Sequence, residues 1–369
     1  MKTKEKIINF IKSEVVLSVA IVLAIITCFF VPPDKEYLGY FDYSTLICLF
    51  CMLAVVAGLK STNVFELISR KLIGLFHTRR AVIYALVFGT FFFDMIVAND
   101  MSLITFLPLT YIVLHSTKND KYLAFTFIMQ TIAANMGGMI TPYGNPQNLY
   151  LYSYYNINTT EFFSILLIQS ITVAVLLWIC CAFIHNEPLK LRKNSKIIIS
   201  KKELYIYSIL FILVILSIFR VIPYLITLAI VVLTILIMDR KRFKQIDYAL
   251  IATFFVFFIF SGNIARIPAI KEFISEIVVK NTLLAGIVSC QFISNVPTAI
   301  FLSKFTTNYR ELLISVNIGS LGILISSLAS LITLKEFLKH QPKNFWKYLI
   351  MYTIFNTLFL VVLLLVTTL

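Results

Sequence analysis

Two of the chain's eighteen acidic residues, Asp94 and Asp100, stand inside an apolar run, FFFDMIVANDMSLITFLPL. Burying an unpaired carboxylate is costly. One kept at membrane depth is therefore a functional candidate, able to hold a proton, a cation or a partner side chain. No Lys or Arg within the apolar runs offers itself as that partner, which favours a mobile cation or a proton as the counter-charge. Each acid also has a plainer use. Asp100 could cap a helix beginning at Met101, and Asp94 could hydrogen-bond a neighbouring helix.

Small polar residues recur in the same apolar setting. Asn99 follows Ala98 in the first run, and Ser294-Asn295-Val296-Pro297 interrupts a second, CQFISNVPTAIFL. Hydrocarbon cannot hydrogen-bond an exposed backbone, so a broken helix at this depth survives only against protein or a wet cavity. Its free N–H end attracts anions and its free C=O end attracts cations. Asn, Ser, Thr and Gly let an ion approach that backbone closely.

The two regions can be laid on one another. Asn99 falls on Asn295, Ser102 on Thr298 and Ile104 on Ile300. Further along, Asn135-Met136-Gly137-Gly138 falls on Asn317-Ile318-Gly319-Ser320, and Gly144-Asn145-Pro146-Gln147-Asn148-Leu149 falls on Ser326-Ser327-Leu328-Ala329-Ser330-Leu331. Few letters are identical, so the repeat rests on the order of elements. Paired broken helices in inverted repeats, with a site at the midplane between them, are a transporter architecture.

Apolar runs near 14–32, 43–59, 161–184, 203–219, 222–238, 246–261 and 345–367 read as ordinary spans. Each approaches the roughly 20 residues needed to cross about 30 Å of hydrocarbon. Residues 62–78 place Val64, Leu67, Ile68, Leu72 and Leu75 on one stripe, and 263–280 repeat that character, so both suit helices lying in the interface. With the N-terminus inside, every Lys and Arg except Lys35, Arg220, Arg266, Lys271, Lys280, Lys304 and Arg310 falls in a cytoplasmic segment. That orientation requires 81–116 and 281–306 to be hairpins entering from opposite faces. Each is followed by an interrupted segment that crosses, 121–153 and 311–334. The expectation is one all-α polytopic membrane domain over 1–369, with an N-terminal repeat (14–184), a C-terminal repeat (203–367) and a basic cytoplasmic linker (185–202).

Composition agrees. The chain has 369 residues, 59% hydrophobic and only 14% charged, against about 25% charged in soluble domains. Its net charge of +14 sits in short loops and makes no basic face on a soluble unit, which excludes a nucleic-acid partner. The six cysteines lie in apolar runs and read as packing residues. Lys2, Lys4, Lys6 and Lys12 ahead of Val15–Val31 resemble a signal peptide, but Pro32-Pro33-Asp34 follows where a cleavage site would, so this is read as the first span.

The segments ANDMSLITFLPL, NMGGMITPYGNPQNLYLY, CQFISNVPTAIFL and SVNIGSLGILISSLASLI resemble the core motifs of the ion transporter superfamily, over about residues 40–335. That group includes citrate–metal–proton symporters, divalent anion:sodium permeases, arsenite permeases and sodium/proton antiporters. The resemblance implies a scaffold and a transport unit with paired hairpins, often in a homodimer. By residue, it implies substrate and ion contacts at Asn99, Asp100 and Ser102, at Thr141, Gly144, Asn145 and Asn148, at Ser294, Asn295 and Thr298, and at Ser326, Ser327 and Ser330. The tips here, Ala-Asn-Asp and Ser-Asn-Val-Pro-Thr, depart from the Ser-Asn-Thr of the dicarboxylate branch and look more like the citrate–metal, arsenite and sodium/proton branches.

The function expected is secondary transport of a small anion such as citrate across the cell membrane, coupled to H+ or Na+, with no other cofactor. The alternative is sodium/proton antiport or arsenite-type efflux on the same scaffold. A channel lined by the broken helices is a further class. An enzyme is not expected: His77, His115, His185 and His340 fall at or near loops without zinc spacing, and no Gly-x-Ser-x-Gly occurs.

Overall fold

The computed structural model describes residues 14–189, 197 and 199–369. The N-terminal lysines and residues 190–196 of the basic linker lie outside that range. Helices follow one another in the order α1 (Val15–Phe30), α2 (Tyr43–Ser61), α3 (Val64–Gly74), α4 (Arg79–Asp94), α5 (Asn99–Ser116), α6 (Leu123–Gly137), α7 (Pro146–Tyr154) and α8 (Thr159–Ala182). The second half contributes α9 (Lys201–Ile218), α10 (Tyr224–Met238), α11 (Tyr248–Ala265), α12 (Pro268–Lys280), α13 (Thr282–Ile293), α14 (Asn295–Leu302), α15 (Tyr309–Ile318), α16 (Leu328–His340) and α17 (Phe345–Thr368). Among the described residues the only β-type pairing is one isolated bridge, Thr78 with Pro188.

Local chemistry sets many of the helix starts. Asp42 accepts from the amide of Thr45 at 3.1 Å to begin α2, and Asp247 accepts from Leu250 at 3.0 Å to begin α11. Asn281 does the same for α13, accepting from Leu284 at 2.8 Å, and Pro146 takes the first position of α7, where its missing N–H costs nothing.

This is an all-α polytopic membrane protein, and burial follows a hydrocarbon solvent. The stretch Asp120–Ile140, which contains α6, is 89% buried inside the protein, whereas α17 is 22% buried. α17 turns Ile350, Ile354, Leu358 and Leu365 outward. Lipid tails are as apolar as leucine, so such faces need no protein cover.

The two amphipathic segments form the short helices α3 and α12. In α3 the face packed on protein is Phe65, Ser69 and Ile73, while Ile68 and Leu75 of the expected stripe face outward. α12 buries only Val278 and meets α13 at a bend of 117°. At one end of the bundle Arg266 grips Asp34 with a two-pronged pair at 3.0 and 2.6 Å, which holds the Asp34 carboxyl below its ordinary range. At the other, Arg79 pairs with Glu187, and Leu189 N–H donates to the His77 carbonyl at 2.8 Å, strapping the chain after α8 to the base of α4.

Candidate functional site

α4 and α5 form an antiparallel hairpin. Val82 and Leu86 of α4 share a buried cluster with Leu109 and Val113 of α5, and Phe93 meets Phe106 edge-on at 5.6 Å. Its tip is Met95–Ala98, after which Asn99 opens α5 and accepts from the amide of Asp100 at 2.9 Å. α13 and α14 repeat the device. The hydroxyls of Thr282 and Thr306 meet at 3.4 Å at the open end, and Asn295 accepts from the amide of Val296 at 2.9 Å at the tip. Ser294 turns the chain with φ 72° and ψ 160°, a conformation that costs a residue with a side chain on the order of 1–3 kcal/mol. Its hydroxyl bonds the carbonyl of Ser326 at 3.3 Å and so fixes this tip to the second broken helix.

The broken helices face these hairpins. After α6 the chain makes a 3-10 turn over Gly138–Ile140 and a second turn, closed by the Gly144 amide on Thr141, before α7. Asn148 Nδ2 donates to the carbonyls of Gly138, Met139 and Thr141 at 3.3, 3.1 and 3.3 Å, satisfying groups the break exposes. After α15 a second break runs to α16. The two breaks lock together through their asparagines. Asn317 Nδ2 donates to Asn148 Oδ1 at 2.7 Å, and Ser327 Oγ donates to Asn135 Oδ1 at 2.7 Å.

Asp94 closes α4 beside the first break. It is 0% exposed, and the donors beside it are the Ser102 hydroxyl of α5 and the Gly138 amide. Asn145 Oδ1 is buried without a partner. Gly138 brings two of these oxygens together, since a Cβ there would strike both Asp94 Oδ2 and Asn145 Oδ1. A buried carboxylate beside an amide oxygen and a hydroxyl, with no Lys, Arg or His set against it, is chemistry that suits a cation or a shared proton. Asp100 is half-buried and lines a cavity of about 300 Å³ with Asn99, Tyr143, Lys60 and Asp247.

The sequence profile of the family described as "Citrate transporter" matches residues 6–309. The chain belongs to the citrate transporter family. Over 299 residues it is 34% identical to an uncharacterized transporter of Methanocaldococcus jannaschii, covering 80% of this chain and 81% of that protein. Over 332 residues it is 25% identical to the inner membrane protein YbiR of Escherichia coli, covering 87% of this chain and 86% of that protein. It is thus a membrane transporter, as the resemblance to the ion transporter superfamily implied.

Within this family member the expected site residues divide into groups. Asp94, Ser102 and Asn145 supply buried oxygens at the first break. Asn99 and Asp100 line the cavity. Thr141 bonds the Met95 carbonyl at 3.0 Å and receives the Gly144 amide at 3.0 Å, so it shapes the turn under the first tip. Thr298 is spent on the Ser294 carbonyl at 2.7 Å, and Ser326 on the carbonyls of Ser320 and Ile323. Ser330 instead receives the hydroxyl of Tyr352 from α17 at 2.6 Å, away from the tips.

The plainer uses of the two acids fare differently. Asp100 does not cap a helix at Met101, because α5 already begins at Asn99, with Ala98 in the capping position. Asp94 has the Ser102 hydroxyl of the neighbouring helix α5 as a partner and is the more deeply buried of the two. The expected site omitted Asn135, Gln147, Gln291 and Asn317. The Asn135–Asn317 match between the repeats was the available signal, since a buried amide at equivalent helix ends implies a partner.

Proposed function

We propose that this transporter is a secondary active carrier of a small carboxylate anion, citrate or a chemical relative, coupled to H+ or Na+. The observation that carries this reading is Asp94, fully buried at the first break with Ser102 and Asn145 beside it and no positively charged side chain set against it. A carboxylate so placed requires a proton or cation, and a carrier that must acquire one before it moves is coupled to that ion's gradient. The anion would lie between the tips, near the free N–H groups where α5, α7, α14 and α16 begin. We place the N-terminus in the cytoplasm, so that the cavity holding Asp100 opens inward, and the protein in the cell membrane as a homodimer.

One observation favours the second reading, cation exchange. The cavity walls carry Asp100 and Asp247 against Lys60, an acidic balance that suits a cation as cargo. Uptake into proteoliposomes, scanned over citrate, dicarboxylates and arsenite under imposed Na+ or proton gradients, separates the two. Gradient-driven citrate or dicarboxylate accumulation supports the anion reading. Sodium/proton exchange or arsenite flux without carboxylate uptake contradicts it.

A further inference from the structure

The two halves treat their breaks differently, and the difference sits on the hairpins. In the register that puts Asn99 on Asn295, Asp94 falls on Cys290. Both residues are 0% exposed and both face a glycine of the opposing break: Asp94 faces Gly138, and Cys290 lies 3.0 Å from where a Cβ on Gly319 would stand. The first hairpin therefore offers a carboxylate where the second offers a thiol, which does not hold a hard monovalent cation.

The residue after Cys290 fills the vacated role. Gln291 Nε2 donates to the carbonyls of Gly319 at 2.9 Å and Leu321 at 3.0 Å, and Gln291 Oε1 accepts from the amide of Ile323 at 3.1 Å. Gly322, at φ 111°, lies so close that a side chain there would collide with Oε1. These carbonyls are the ones a helix break leaves free to meet a cation. Both breaks also have carbonyls satisfied by an amide, Asn148 in the first and Gln291 in the second. Only the first faces a buried carboxylate.

We propose that the chain takes up its coupling cation at one site only, beside Asp94, and that the Gln291 amide stands at the equivalent place in the second half as a tethered substitute for a second cation. This rests on the cation-coupled reading above. A carboxylate facing a break needs a cation between the two sets of oxygens, whereas an amide donor completes the same set by itself.

The test follows the thermal midpoint of the full chain in nanodiscs. It is titrated with NaCl against choline chloride at pH 8, and separately with pH in the absence of Na+. In the wild type, one titration should show a single-site saturable component, and Asp94→Asn should remove it. Gln291→Glu has nearly the same shape but replaces the donor with an acceptor among the carbonyls of Gly319 and Leu321. It should create a second site and make the response steeper than single-site. A steeper response already in the wild type, a saturable component surviving Asp94→Asn, or a Gln291→Glu curve superimposing on the wild type overturns the proposal while leaving coupling intact. No saturable component for either cation in the wild type defeats the coupling reading itself, and this proposal with it. If Gln291→Glu does not assemble, the Asp94→Asn comparison decides alone.

Discussion

Asn317 of the second half donates its side-chain amide to Asn148 of the first at 2.7 Å, in the interior where the two broken helices meet. Asn317 Oδ1 also accepts from Gln147 at 3.3 Å, and the reciprocal contact joins Ser327 to Asn135. Residues more than 150 positions apart in the chain are thereby held at the same depth. These contacts tie the two breaks to one another.

Removing that amide should therefore be felt in stability. Asn317→Ala leaves Asn148 Oδ1 and Gln147 Nε2 without their buried partner, which costs about 1–3 kcal/mol. A clear fall in thermal midpoint is expected, and Asn317→Asp should be at least as damaging, because it sets a buried carboxylate oxygen against Asn148 Oδ1 and the Leu313 carbonyl. A midpoint unchanged in Asn317→Ala would remove the lock from the account.

Asp100 separates cavity chemistry from folding. Its side chain caps no helix, so Asp100→Asn and Asp100→Ala should match the wild type in thermal midpoint. Both should change the apparent affinity for transported substrate, because each removes a charge from the cavity wall. A loss of about 1 kcal/mol confined to the Ala variant would restore a capping role.

Orientation has its own check. Lys118, after α5, and Lys280, at the end of α12, are both exposed and are expected on opposite sides of the membrane. In a cysteine-free background, a membrane-impermeant maleimide added to intact cells should label Lys280→Cys and leave Lys118→Cys unlabelled. The reverse pattern would invert the orientation, and labelling of both would break the inverted-repeat reading.

What was legible in the sequence was mostly local. Apolar runs and their polar interruptions mark spans and tips because both signals lie within one segment, so Asn99 and Asn295 could be singled out directly. The stripe of residues 62–78 was legible as amphipathic. Its Ile68 and Leu75 face outward, which in hydrocarbon an apolar face can do without seeking the protein core. The roles of Gln291 and Asn317 were not legible, since each depends on a contact that only the folded arrangement of two distant segments creates. The ranking of the two acids fell between these cases. Both stood out in the apolar run, but only the packing of Gly138 against Asp94 shows which one faces the break.

The central claim is that Asp94 binds the coupling cation, and gradient-driven uptake by Asp94→Asn tests it most directly. Asparagine keeps the shape, removes the buried charge and can donate to the oxygens of Ser102 and Asn145, so assembly and thermal midpoint should equal or exceed the wild type. Uptake of radiolabelled citrate into proteoliposomes should then no longer respond to an imposed Na+ or proton gradient. Gradient-driven accumulation in Asp94→Asn at the wild-type rate would contradict the claim.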